Sequence, residues 1–279
     1  MIKTYRTSGR AIDRRKNYIL ILDVETSGNL TVNDSSIVYD LGGSIIDTTG
    51  GTYEEFSFLI EEIFMPYGEG KSYMQSAYYG WKLPYYTRKA QNGEISIVSF
   101  WEARQHIHDL IKRYNVKIAM AHNARFDSKA LNNTIKYLTA SKERNFLPYG
   151  VEWWCTMTMA QHTLKTDKRY SAWCDEKPQT RRTEKKNWVK LTAEVLYQYI
   201  SGNDDFTEEH TGLADVRIEK QIFWYIKNNY NFSEVYRSPW GMKFEDRQRK
   251  LKKHKIKPHK NTRFQWDIYQ IAKSQKSLV

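Results

Sequence analysis

Residues 18–28 read Tyr18-Ile-Leu-Ile-Leu-Asp-Val-Glu-Thr-Ser-Gly28, and this stretch decides the fold. Five apolar residues run straight into Asp23, Val24 and Glu25, and a Ser-Gly pair ends the run. A continuous apolar run of this length, bounded by turn residues, predicts a central strand buried on both faces. Side chains two apart in a strand share a face, so Asp23 and Glu25 project side by side from its end. Two carboxylates so placed repel each other and lose hydration; ionised, they need a cation between them. Taken alone, Asp-x-Glu at a strand end more often just faces water.

The neighbouring stretches set the topology. Gly28–Ser36 is too short for a parallel crossover, so the next extended run, Ile37–Asp47, pairs antiparallel with the first. Thr49-Gly50-Gly51 turns the chain into Tyr53–Ile60, whose alternation suits a third, more exposed strand. Residues 65–98 carry no clear period. From Ser99, a plausible cap, a helical face follows in Phe100, Ala103, Ile107, Leu110, Ile111 and Tyr114. Val116–Ala121 reads as a buried strand, residues 123–138 as an amphipathic helix and Val151–Met157 as a fifth strand. His162–Trp188 looks like an inserted basic loop, Lys190–Ile200 is helical, and a last helix starts near Thr211. The expected fold is therefore α/β: a mixed five-stranded sheet, three strands in an antiparallel meander and two parallel, with helices on both faces. Ligands of such sheets bind beyond the carboxyl ends of the parallel strands, where Asp23 and Glu25 lie.

Composition narrows the partners. The 279 residues carry a net charge of +12, with 40% hydrophobic and 14% aromatic content. Residues 241–279 hold twelve Lys/Arg against three acids, +9 of that excess, which points to a polyanion. No apolar run approaches the ~18 residues of a membrane span. No apolar stretch follows the basic N-terminus, so a secretory signal is not expected. Two cysteines, Cys155 and Cys174, are too few for a disulfide framework, and a cytoplasmic setting is expected. With His162 they match no standard zinc spacing.

Two further acidic positions give the first pair its meaning. Ala119-Met-Ala-His-Asn-Ala-Arg-Phe-Asp127 runs off the fourth strand and places Asp127 in the first turn of a helix. His210-Thr-Gly-Leu-Ala-Asp215 places Asp215 in the opening turn of the last helix, with His210 in the loop before it. Each acid alone is also an ordinary helix-start charge favoured by the macrodipole. Together, Asp-Val-Glu-Thr-Ser-Gly, His-Asn-Ala-Arg-Phe-Asp and His-x4-Asp, in this order, resemble the three motifs of the DEDDh (DnaQ-like) 3′→5′ exonucleases. That family includes the proofreading subunit of bacterial DNA polymerase III. Trp154-Cys-Thr-Met157 and Lys190-Leu191 resemble smaller family features.

The resemblance covers about residues 17–228 and implies an RNase H-like fold. It divides the chain into a lead-in (1–16), an exonuclease domain (17–230) with insertions near 65–98 and 160–188, and a basic extension (231–279). It assigns Asp23, Glu25, Asp127 and Asp215 to two divalent ions, Mg²⁺ or Mn²⁺, and all-oxygen ligands independently favour such hard cations. It makes His210 the general base, and imidazole titrates in the right range. Thr26 and Ser27 match positions that grip the terminal nucleotide, while His122 and Asn123 orient ligands or substrate. Single-stranded DNA is the favoured substrate with RNA as the alternative, and a polymerase or repair partner is conceivable. A catalytically silent binding or adaptor protein of the same fold is the competing class.

Other features allow more than one role. The aromatic residues Tyr78, Tyr79, Trp81, Tyr85 and Tyr86 fit base stacking, and more often such clusters pack a loop onto a sheet. The basic residues of 162–188 fit either a strand channel or a solvated loop.

Overall fold

The computed structural model describes residues 5–27, 36–66, 73–77, 80–139 and 145–230. Tyr78, Tyr79 and the basic region 231–279 lie outside them. The central strand of the opening stretch, β2 (Tyr18–Ser27), pairs antiparallel with β3 (Ile37–Asp47), which pairs antiparallel with β4 (Thr52–Ile60). On its other side β2 pairs parallel with β6 (Ile118–Ala121), and β6 with β7 (Glu152–Cys155). The expected meander and parallel pair are thus both present.

Two short strands extend the sheet to seven. β1 (Tyr5–Thr7) runs antiparallel along the outer edge of β4. Further along that edge, β5 (Ser96–Val98) pairs parallel with Phe58–Ile60. Both are three-residue edge strands, too short to show a sequence period.

The helices cover both faces. α1 (Glu61–Phe64) and α2 (Leu83–Gln91) precede α3 (Phe100–Tyr114), which Ser99 and Glu102 start with a reciprocal capping box. α4 is Ala124–Leu138, and α5 (Thr156–His162) begins directly after β7, where strand was expected to continue to Met157. The segment expected to be a basic loop is instead helical, with α6 (Lys168–Glu176) and α7 (Pro178–Arg181). Its core includes Tyr170, Cys174 and Arg181, whose guanidinium stacks 3.4 Å from the Trp173 ring centroid. A buried arginine hides the apolar period that would have revealed a helix. α8 (Ala193–Ser201) starts three residues later than expected, and α9 (Gly212–Asn229) is the last described element.

The parity of β2 distributes these layers. Leu20, Leu22 and Val24 pack in one core with α3 and α4, whereas Ile19 and Ile21 pack in the other with α5, α8 and α9. Asp23 and Glu25 have the parity of Ile19 and Ile21, so they emerge on the α9 side. No described helix is long and apolar enough to cross a membrane.

Candidate active site

The site begins with two missing side chains. In the β2–β3 register Asp23 faces Gly42 and Glu25 faces Asp40. A Cβ on Gly42 would lie 2.0 Å from the Gly212 carbonyl carbon and 2.2 Å from the Leu213 nitrogen. A Cβ on Gly212 would lie 2.4 Å from the Gly42 nitrogen and 3.1 Å from the Asp23 oxygen. Backbone therefore packs on backbone, and the start of α9 sits directly beside Asp23. Asp40 fixes the contact: its Oδ2 accepts the Gly212 N–H at 3.1 Å and the Tyr86 hydroxyl at 2.9 Å. Thr211, the residue before the helix, makes no side-chain cap, so an acid from the sheet caps α9 in its place.

This docking collects the acids. Asp215 stands in the first turn of α9 and Asp127 in the first turn of α4, both buried. Burial and then the charges of Asp40 and Glu208 push the Asp23 carboxyl well up. Burial and the Asp23 charge push Glu25 up to about 10, and they do the same for Asp215, with Glu208 and Glu25 adding to it. Burial and Asp23 also raise Asp127 strongly. The amides of Asp127 and Val24 offset this in part, although neither Asp127 oxygen has a hydrogen bond of ordinary geometry. One Asp215 oxygen and one Glu219 oxygen are likewise buried without a partner. Buried carboxylate oxygens left unpaired around a shared centre are the donor set a hard divalent cation requires. The residues fit such a group.

His210 completes the cluster. A ring nitrogen of His210 and one oxygen each of Glu25 and Asp215 lie within 4.8 Å of one another. The His210 backbone is left-handed (φ 52°), an uncommon conformation for a residue other than glycine. Lys82 holds it from outside, donating to the carbonyl oxygens of Glu209 and, at 3.2 Å, of His210. Tyr85 donates to the Glu209 carboxylate and ties the same loop. Burial, and next the Lys82 charge, lower the His210 pKa, so its ring is held in the neutral form that accepts a proton.

The remaining sequence-predicted residues surround this centre. A register shift between Glu25 and Thr26 breaks the β2–β3 ladder and re-aims the strand end. Thr26 is half-buried, and Ser27 is buried and bridges to Ala77. The His122 ring points into the protein. Burial lowers its pKa to about 4, so neutral Nε2 donates to the Leu191 carbonyl at 2.8 Å and Nδ1 accepts from the Thr156 hydroxyl at 2.9 Å. The His122 backbone N–H donates to Glu219 at 2.7 Å, so this residue holds a carboxylate at the site's edge. Asn123, left-handed at φ 62°, is exposed just before α4.

Four charged residues escaped the sequence reading. Glu219 is raised by burial and by the charges of Asp23 and Asp127; its spacing of four from Asp215 on one helix was the available signal. Glu208, pushed up to about 7 by burial and Glu194, lies two residues before His210. Asp40 interrupts an apolar strand, and Lys82 sits in an aperiodic stretch; neither has a distinctive pattern.

No protein-family model matches the sequence, and no curated protein does. Solved structures do match. The chain is similar to a full-length 3′-exonuclease, with a TM-score of 0.51, 13% identity and coverage of 81% of this chain and 92% of that one. It is similar also to the nuclease domain of 3′hExo, a DEDDh family member, bound to rAMP (TM-score 0.50, 14% identity, 78% and 95% covered). The fold is that of the DEDDh 3′-exonucleases. The closer likeness to DnaQ rests on the sequence motifs alone. In the DEDDh-type frame, Glu25, Asp215 and His210 bring ligand atoms within 4.8 Å of one another, and the Asp23 charge acts on Glu25, Asp215 and Asp127.

Proposed function

We propose that this chain is a divalent-metal-dependent 3′→5′ exonuclease that removes nucleoside monophosphates from single-stranded or frayed nucleic acid. The observation that carries the reading is the cluster of Glu25, Asp215 and His210 within 4.8 Å, with the Asp23 charge acting on Glu25, Asp215 and Asp127 and with buried, unpaired oxygens on Asp127 and Asp215, on this fold. Asp23, Glu25, Asp127 and Asp215 would hold two divalent ions, Mg²⁺ or Mn²⁺. Bound there, they would offset the charge that develops on the attacking and leaving oxygens during phosphodiester hydrolysis. The protein's own contribution is orientation and proton handling. Neutral His210, kept in its left-handed turn by Lys82, takes the proton of the attacking water. Thr26 and Ser27 hold the terminal nucleotide beside the acids, Asn123 borders the entry, and His122 keeps Glu219 in place.

The motif resemblance favours DNA, and the rAMP-bound neighbour keeps RNA as the second substrate. A replication or repair partner belongs to the same reading, as does a cytoplasmic setting, in keeping with the free thiols of Cys155 and Cys174. The test is incubation with 3′- and 5′-labelled single-stranded DNA and RNA in Mg²⁺, Mn²⁺ or EDTA. Metal-dependent shortening from the 3′ end is expected. Asp23→Ala should lower the rate by about a hundredfold or more, and His210→Ala by a similar factor with little change in binding. Absence of shortening on every substrate, or full activity in Asp23→Ala, would overturn it.

A further inference from the structure

The lobe built by α6 and α7 spends its cationic residues in two ways. Its arginines fold it: Arg169 pairs with Asp167 at 3.0 Å, Arg181 with Asp204 at 2.6 Å and Arg182 with Asp175 at 2.7 Å. Its lysines mostly do not. Lys165, Lys168, Lys185 and Lys186 are exposed and form no ion pair among the described residues. Two of them, Lys165 and Lys186, place their ammonium groups 4.7 and 4.5 Å from the ring centroid of Trp188.

Trp188 is not there by neglect of packing. It sits on a short hairpin closed by the Arg182–Val189 bridge. Thr183 N–H donates to the Trp188 carbonyl at 2.7 Å, and Trp188 N–H to the Thr183 hydroxyl at 3.1 Å. Asn187 turns through a left-handed φ of 50°, and its carbonyl accepts from Arg182 at 2.8 Å. A well-tied backbone thus presents an indole that is 52% exposed. The two ammonium groups are at most about 9 Å apart, by their distances to the ring, close enough to repel at ordinary ionic strength. Such an arrangement does little for stability, and Glu184 is the one acid on the hairpin itself. A ring with two cations at its faces matches a base with its flanking phosphates.

The hairpin also has a fixed place relative to the acids. Three residues after Trp188, the Leu191 carbonyl accepts from His122, whose N–H holds Glu219. Three residues of extended chain reach about 10 Å. We propose that Trp188, with Lys165 and Lys186, is a stacking platform for a base of single-stranded nucleic acid a few nucleotides from the end being cut. This rests on the exonuclease reading and adds to it a second grip on the strand away from the end being cut. Exposed cation–π contacts hold each lysine only weakly, so the ammonium groups can move from the ring to phosphates.

The test separates binding from cutting. Affinity for a long oligothymidylate is measured in EDTA with the full chain, alongside hydrolysis of a dinucleotide in Mg²⁺. Trp188→Ala should weaken oligonucleotide binding by about tenfold or more, Trp188→Phe should restore most of it, and dinucleotide hydrolysis should stay unchanged. Lys165→Ala with Lys186→Ala should flatten the salt dependence of binding by a slope of roughly 1.4. Unchanged affinity in Trp188→Ala, with wild-type melting temperature, overturns the platform. If the wild type cuts nothing, the exonuclease reading falls, and the EDTA arm still decides the platform by itself.

Discussion

At the scale of single residues, the acids of this site are assembled against their own preference. Glu25 and Asp215 keep their protons to about 10 in the folded chain, against 4.5 and 3.8 for the free groups. Between those values the folded state binds more protons than the unfolded one, so metal-free stability falls as pH rises through that window. The melting temperature without divalent ions should therefore drop from pH 6 to pH 9. Asp13, Asp47 and Asp167, held below the usual range by hydrogen bonds and ion pairs, have finished titrating before pH 6. His122 and His210, lowered by burial, oppose the trend only near about pH 6–7, where the unfolded imidazole gives up its proton, so the drop is clearest above that. Added Mg²⁺ or Mn²⁺ competes with those protons and should stabilise more at pH 9 than at pH 6. Asp215→Asn should flatten the metal-free profile and reduce the metal response. A metal-free melting temperature that stays level or rises over this range would show that the acids are ionised without a cation.

At the scale of elements, the contact of α9 with β3 decides whether the acids meet at all. Gly42→Ala puts a methyl group into the backbone of Gly212 and Leu213, atoms that no rotamer change can move aside. Overpacking of this kind usually costs about 1–3 kcal/mol, and here it also displaces the turn that carries His210 and Asp215. Thermal melting and the labelled-strand assay should show lost stability together with lost cleavage. Wild-type activity in this variant would mean the helix start can shift without harm. The elements that place Asp23, Glu25, Asp127 and Asp215 were legible because each has a plain signature: an apolar run ending in acids, or an amphipathic helix with an acid in its first turn. Asp40 was not, since one acid inside an apolar strand has no period to belong to. The α6–α7 lobe was missed because its interior is partly charged, with Arg181 buried against Trp173. β1 and β5 are defined by what β4 offers them rather than by their own three residues.

At the scale of the whole molecule, charge is unevenly shared. Residues 231–279 carry +9 of the net +12, leaving +3 for the rest. If that extension touches phosphates, removing it after Tyr230 should shallow the salt dependence of strand binding and reduce processivity, with dinucleotide cleavage retained. A salt slope identical to that of the full chain would dismiss the extension as a nucleic-acid contact.

The Gly42–Gly212 junction also sets an order of events during synthesis. Asp23, Glu25 and Asp127 leave the ribosome on a sheet and helices that can begin to pack, since chains fold from the N-terminal side as they emerge. The capping partner of Asp40, the turn of His210 and the carboxylate of Asp215 arrive more than eighty residues after Asp127. Until that helix docks, the nascent chain holds Asp23, Glu25 and Asp127 without Asp215 or His210 beside them. On the exonuclease reading proposed above, the site would be completed only when that last helix docks.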